Sequence, residues 1–363
     1  MYREKNLNNA ALFLINSNKK TRGSSAYYSR IYNPINGWSN PYPETTGYII
    51  PTLISLSKID GYEFLENNII NISDWLLSIQ NQDGSFCEGL YPNNKQNKSI
   101  FNTAQIIIGL LAASNYFKDD KFLDAAHNAA NWLSDNQEDS GDWIKYQYYK
   151  EFSPSYYTRV AWPMLEVAKL TDNNIIKDSA IKSLDNILSK VKKNHFIKDA
   201  GFKKNNYAFL HTICYTIRGF LESSLILDRS DYWDTAYDLA YYFLRKYEID
   251  HRLGGAYYED LKSINWYRCL TGEAQLCIIW LKIFNNNDDI RFVNASSKLL
   301  DDICKTQPMH DSLFLKKGGL KGSQPYFGRY IPFRQPNWST KFFIDAILLE
   351  NYSYEKIKDK LKL

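Results

Sequence analysis

Cysteine is scarce in this chain: five residues (Cys87, Cys214, Cys269, Cys277 and Cys304), none in a CxxC pair. An odd count without that motif excludes a disulfide framework and reads as reduced core thiols of a cytoplasmic protein. Histidine is equally sparse, with His127, His195, His211, His251 and His310 scattered and no HExxH or HxxxH. No metal site is expected from such spacing. The chain also lacks a Walker loop, a GxGxxG and a GxSxG, so neither a nucleotide cofactor nor a serine triad is expected, and no cofactor is assigned. Charge of one sign is missing too: 44 basic residues face 40 acidic ones, net +4, with no basic run interleaved with aromatics. That balance argues against nucleic acid as a partner. The longest apolar run, IIIGLLAA (106–113), is too short to span a bilayer. MYREKNLNNAALFLINSNKK at the N-terminus has no long apolar core or small-residue cleavage site, so no signal peptide is expected.

What the chain has is apolar and aromatic mass: 44% hydrophobic residues, 28 Tyr and 9 Trp in 363 residues. That composition supports a packed core and excludes disorder. It also has a repeat. Six apolar segments align on a threonine: TGYIIPTLISL (Thr46), TAQIIIGLLAA (Thr103), TRVAWPMLEVA (Thr158), TICYTIRGFLE (Thr212), TGEAQLCIIWL (Thr271) and TKFFIDAILLE (Thr340). The steps are 57, 55, 54, 59 and 69 residues, a period that signals a repeat architecture. Threonine ahead of a helical run suits an N-cap. Between these segments lie amphipathic ones, such as FLDAAHNAANWLSDNQ (122–137) and IRFVNASSKLLDDICKT (290–306), with apolar residues three and four apart. Helices apolar all round belong inside and one-faced helices outside. The expected fold is all-α, one (α/α)6 toroid domain over residues 1–363, six inner and six outer helices, with the inner helices Thr-capped at the active-site rim.

Loops orient the toroid. Inner-to-outer connections are short, whereas outer-to-inner ones run roughly 17–30 residues, a length usually kept for function. All the long loops end at inner-helix N-termini, so one rim carries both loops and positive helix ends. Each long loop also has a glycine turn followed by an aromatic (Trp38, Phe86, Trp143, Phe202, Tyr257, Tyr326), which predicts a ring of platforms for sugar faces. Positions +1, +2 and +5 after each Thr share one helical arc; its polar occupants are Arg159, Lys341, Gln105, Glu273 and Asp345. Just before the threonines stand Glu44, Asn102, Tyr156, Tyr157, His211 and Trp338. Glu44, Glu273, His211, Arg159 and Lys341 are the catalytic candidates. Trp38, Trp143, Tyr156, Tyr257, Trp338, Gln105 and Asp345 are the substrate-binding ones. Structural alternatives are open for several: Arg218 can pair with Glu222, and Lys341 with Asp345, each four residues apart. Pro51 and Pro163, both at +5, predict an irregular first turn.

DWLLSIQNQDGSF (74–86) and NWLSDNQEDSGDW (131–143) resemble the Gln/Trp repeats of prenyltransferase and squalene-cyclase toroids, but the DxDD acid motif and the zinc ligands of those families are absent. Over most of its length the chain resembles six-hairpin glycosidase-like proteins of bacterial capsule, O-antigen and exopolysaccharide loci. The stretches carrying this are GWSNPYPETTGYIIPTL, YYTRVAWPMLE, LHTICYTIRGFLE, CLTGEAQLCIIWLK and PNWSTKFFIDAILL. The resemblance implies a carbohydrate-active enzyme of polysaccharide biosynthesis acting on an oligosaccharide or polysaccharide, free or lipid-linked. A hexagon of inner helices about 9–10 Å apart would bring Glu44 and Glu273 to about 7–9 Å, the separation of an inverting hydrolase's two carboxylates, so glycoside hydrolysis by this pair is the expected reaction. A uronate lyase or C5-epimerase would instead use Arg159 or Lys341 to neutralise a carboxylate and His211 or a tyrosine as base. A glycan-binding toroid without catalysis and a terpenoid-cyclase-like protein are the remaining alternatives.

Overall fold

The computed structural model describes residues 3–18, 22–93, 97–147 and 152–361. Twelve α-helices occur among them: α1 (Glu4–Asn18), α2 (Pro43–Ser57), α3 (Glu66–Ser78), α4 (Ile100–Phe117), α5 (Asp120–Asp135), α6 (Thr158–Thr171), α7 (Asn174–Leu188), α8 (Leu210–Leu227), α9 (Ser230–Asp250), α10 (Leu270–Asn287), α11 (Ile290–Cys304) and α12 (Asn337–Leu361). Even-numbered helices pack on one another in order, and α12 packs back on α2, which closes a ring. Each odd-numbered helix from α3 to α11 lies on the inner helix before it, while α1 lies on α12 and completes the sixth hairpin. The fold is the expected (α/α)6 toroid. By length and composition α4 would suit a bilayer, but it is an inner helix, and its apolar surface meets α2, α5 and α6.

Four hairpins turn in two residues. The inner helix ends on a left-handed residue (Lys118, Asp172, Asp228 or Asp288), and an extended residue starts the outer helix. In three of them that residue caps the outer helix with its side chain: Asp119, Asn173 and Asp289 accept from backbone N–H groups of the first turn. At the opposite rim, three of the long loops are pinned by repeat threonines. These lie within the first four residues of the inner helices, inside the N-cap position. Thr46 and Thr103 donate to the carbonyls of Tyr42 and Ser99, and their oxygens accept from the N–H groups of Ser24 and Phe86. Thr340 likewise accepts from Leu320 N–H. The threonine is thus a clamp between helix start and loop, and in α4 the cap itself is Ser99.

Glutamines make a second repeated clamp. Gln80 donates to the carbonyls of Gly84 and Ala125, and Gln137 to those of Gly141 and Ser179. Both glycines have positive φ (87° and 84°), and each presses on the backbone of the next outer helix, where a Cβ would lie 2.4–2.5 Å from a carbonyl oxygen. The aromatics after these turns are therefore plugs. Phe86 and Trp143 are fully buried, and Trp143 Nε1 donates to the Leu133 carbonyl.

The two prolines sit inside unbroken helices, contrary to the irregular first turn expected of them. Pro163 cannot donate to the Arg159 carbonyl four residues back, and the Gln105 amide of α4 supplies that hydrogen bond at 2.8 Å. Pro51 similarly frees the Gly47 carbonyl, which lies against Gly109 of α4. A Cβ on Gly109 would stand 2.1 Å from that oxygen. Alanine ordinarily gains about 1 kcal/mol over glycine in a helix. Gly109→Ala should nevertheless lower stability by about 1–3 kcal/mol, because it forces two backbones apart. An unchanged or raised melting temperature would show that the α2–α4 spacing yields without cost.

Candidate functional site

At the loop-bearing rim a cavity of about 440 Å³ opens over the inner-helix N-termini. Its polar lining comes from residues just ahead of or at helix starts: Glu44 and Tyr42 of the first repeat, Asn102 and Ser99 of the second, Tyr156 and Tyr157 of the third, His211 of the fourth and Trp338 of the sixth. Tyr48, Phe101, Phe202, Tyr215 and Tyr330 form much of the remaining wall, and Arg334 stands at its edge, stacked 3.7 Å from the Tyr32 ring centroid. Trp338 Nε1 donates to the Tyr330 hydroxyl at 2.9 Å.

Glu44 is the one carboxylate among the described lining residues. It is 7% exposed, and burial raises its pKa from 4.5 to about 7 against a Tyr42 hydrogen bond and the positive charge of Arg159. It is therefore a carboxyl poised to hold or release a proton at neutral pH. Burial also lifts the Tyr48 and Tyr215 phenols well above their usual range, so both stay protonated donors.

His211 meets Gln275 Nε2 through Nδ1 at 2.6 Å. The same amide nitrogen faces the carbonyls of His211 and Thr271, which orients its hydrogens toward acceptors. Nδ1 must then accept, and the proton of a neutral ring resides on Nε2. Desolvation, reinforced by Arg159, drops the imidazole pKa to about 3. His211 thus lines the cavity with an imidazole whose neutral form is favoured by burial, with the proton on Nε2, a form better suited to hydrogen-bond donation than to the role of base expected for it.

Arg159 and Lys341 lie beneath the floor. Arg159 is 3% exposed, gives Nε and Nη2 to Gln105 Oε1 at 3.1 and 2.7 Å, and stacks 4.6 Å from the Tyr215 ring. Lys341 pairs with Asp345, which accepts from Thr52 at 2.6 Å. Gln105 and Asp345 therefore position buried cations and do not line the cavity. The Arg218–Glu222 pair forms as well, joined by Lys282.

Glu273 is elsewhere. It is fully buried in a two-point ion pair with Arg268 (2.9 and 2.6 Å) and lines a separate cavity of about 420 Å³ with Tyr247, His251 and Asp302. The expected Glu44–Glu273 pair across one mouth does not form, because the +2 side of α10 turns away from the axis toward the preceding loop. The expected aromatic ring is corrected too. Trp38 packs between Phe13 and Tyr28, and Tyr257, fully buried, accepts from Gly254 N–H. With Trp143 they are supports under turns. Of the glycine-turn aromatics, Phe202 lines the cavity.

Sequence reasoning missed Tyr48, Phe101 and Tyr215. Tyr48 occupies a +2 position, where an aromatic ring carries no signal that separates a cavity wall from core packing.

No protein family matches the chain, and no curated protein sequence matches it significantly. Solved structures do. A sugar epimerase from a ruminal bacterium superposes with TM-score 0.76 at 11% identity, covering 95% of this chain and 97% of that one. An unsaturated glucuronyl hydrolase specific for heparin gives 0.72 at 15% identity over 98% and 97%. The cellobiose 2-epimerase of Bacillus thermoamylovorans B4167 gives 0.72 at 12% over 95% and 97%. The fold is that of the six-hairpin toroids. Coverage is nearly complete in both directions, so the likeness of fold extends over nearly the whole of each chain.

Proposed function

We propose that the chain is a carbohydrate-active enzyme of surface-polysaccharide metabolism that moves a proton at a sugar carbon next to a carbonyl or carboxylate, as an epimerase or lyase. One observation carries this reading: Glu44, the one carboxyl among the described lining residues, shares an aromatic-walled cavity with the imidazole of His211, and burial pushes the carboxyl up to about 7 and favours the neutral imidazole. Glu44 carboxylate takes the proton from carbon, and the electron pair moves onto the adjoining oxygen. The His211 Nε2–H donates to that oxygen as charge develops, and the Tyr48 and Tyr215 phenols are further donors. Transfer of a phenol proton from Tyr48 or Tyr215 to the opposite face gives the epimer, with the proton held by Glu44 passing back to the phenolate through solvent; if instead a substituent leaves the next carbon with its bonding electrons and takes that phenol proton, the product is an unsaturated sugar. The aromatic walls suit the apolar faces of a pyranose. Buried Arg159 restrains the rise of the Glu44 pKa, so an ionised fraction persists at neutral pH.

A hydrolase reading also has support, since Glu44 is half protonated near pH 7 and could protonate a leaving oxygen. Glycosidases ordinarily employ two carboxyl groups, however, and Glu44 has no carboxylate companion among the described lining residues. The pH profile separates the readings. A base works ionised, so turnover should rise through about pH 7 to a plateau, with deuterium entering the reacting carbon in heavy water. Turnover that instead falls above about pH 7, with no deuterium at carbon, would overturn proton abstraction in favour of general-acid hydrolysis.

A further inference from the structure

Outside the cavity, a shelf of partly exposed aromatics runs from its wall across three long loops. Phe202 and Tyr330 line the cavity, and both pack on Phe209, at 5.9 and 5.2 Å between ring centroids. Phe209 meets Tyr207 at 5.4 Å, and Tyr207 meets Tyr258 at 6.1 Å. The Arg329 guanidinium lies 5.8 Å from the Tyr207 ring and 5.8 Å from that of Trp266, which stacks in parallel with Phe327. Trp266 is 47% and Phe327 58% exposed, so the structure spends large apolar rings on solvent beside the mouth.

Short β-pairings hold these loops together. Strands β1 (Tyr27–Tyr28) and β7 (Gln335–Pro336) join the first and last loops on another side of the mouth. Under the shelf, β2 (Ala208–Phe209), β3 (Ala256–Tyr257) and β4 (Ser263–Ile264) form one antiparallel sheet, and β5 (Arg268–Cys269) pairs with β6 (Ser323–Gln324). Tyr207, Tyr258, Trp266 and Phe327 are each within three residues of one of these strands, so the shelf is preorganised. Arg329 is exposed and makes no ion pair among the described residues, and exposed Lys203 and Lys204 lie in the same loop as Tyr207.

We infer that this shelf holds the outer sugar units of an acidic oligosaccharide whose end unit occupies the cavity, with Trp266 and Phe327 stacking on pyranose faces and Arg329 meeting a carboxylate or sulfate. The inference rests on the carbohydrate reading above. Three features point to this occupant: continuity with the cavity wall, flat exposed rings and an unpaired guanidinium between them.

The test is calorimetric titration with oligogalacturonates of two, four and six units and with neutral cello-oligosaccharides of the same lengths. Native protein should bind the four-unit acid about tenfold more tightly than the two-unit acid, the effect of one good stacking contact. Trp266→Ala and Phe327→Ala should remove that length dependence and leave two-unit affinity alone; Arg329→Gln should remove the preference over the neutral series. Glu44→Gln should retain the length dependence. Length-independent binding by native protein, survival of the length dependence in the Trp266→Ala, Phe327→Ala double variant, or failure of both series to bind would overturn the shelf. Normal turnover by Glu44→Gln would overturn the proposed chemistry and leave the shelf standing.

Discussion

Glu44→Gln should lower turnover by about 10²–10⁴-fold and, at pH 8, raise the melting temperature. The two effects share one cause. An unfolded glutamate ionises near 4.5, whereas folded Glu44 keeps its proton to about pH 7. Between those values the folded state binds more protons, so stability falls as pH rises and the full cost is present above about pH 7. The rise from 4.5 to about 7 corresponds to on the order of 3 kcal/mol. Glutamine is neutral at every pH and avoids that cost. Melts of native and variant protein should nearly coincide at pH 5 and separate by several degrees at pH 8, with the variant higher. A variant less stable at both pH values, with turnover intact, would make Glu44 a structural carboxyl.

Glu273→Gln should do the opposite. Its carboxylate is fully buried and gives both oxygens to Arg268, whose side chain is 19% exposed. Removing one partner of a buried pair costs about 3–5 kcal/mol, and partial exposure of Arg268 places this loss toward the lower end. Thermal or urea unfolding should show that loss, while turnover per folded molecule stays at the native level, since Glu273 lines a different cavity from Glu44. Lost turnover at an unchanged melting temperature would restore the paired-carboxylate hydrolase.

These two glutamates show where reading the sequence succeeded and failed. Both stand near a repeat threonine, and both looked equally able to face the axis. The cavity is lined instead by the residues one and two places ahead of the threonines: Glu44, Phe101, Asn102, Tyr156, Tyr157, His211 and Trp338. These stand at the very start of the inner helices or just before it, as Glu44 and His211 do at the second residues of α2 and α8, and so face the loop-bearing rim. Several +1 and +2 residues pack on neighbouring helices instead, as Gln105 does on Arg159, whereas the Tyr48 ring at +2 reaches the cavity wall. The glycine-turn aromatics misled for a related reason. A left-handed glycine lets its loop press onto the next outer helix, as Gly141 does at Lys182, and the following ring is folded under the turn.

What the sequence determined by itself is the toroid. A period near 55 residues, six segments apolar all round and six one-faced segments leave a single way to bury every apolar face. It also determined which rim bears the cavity, because long loops and helix N-termini fall on the same side. Tertiary structure alone decided which polar residues see solvent in the mouth, and in which protonation state. That depends on distances across the ring: Arg159 near Glu44, Gln275 against His211, Arg268 against Glu273. Each pairing joins residues from different segments or loop and helix, and desolvation inside the closed ring then sets their pKa values. Local pattern specifies the faces of a helix; only closure of the ring specifies what each face meets.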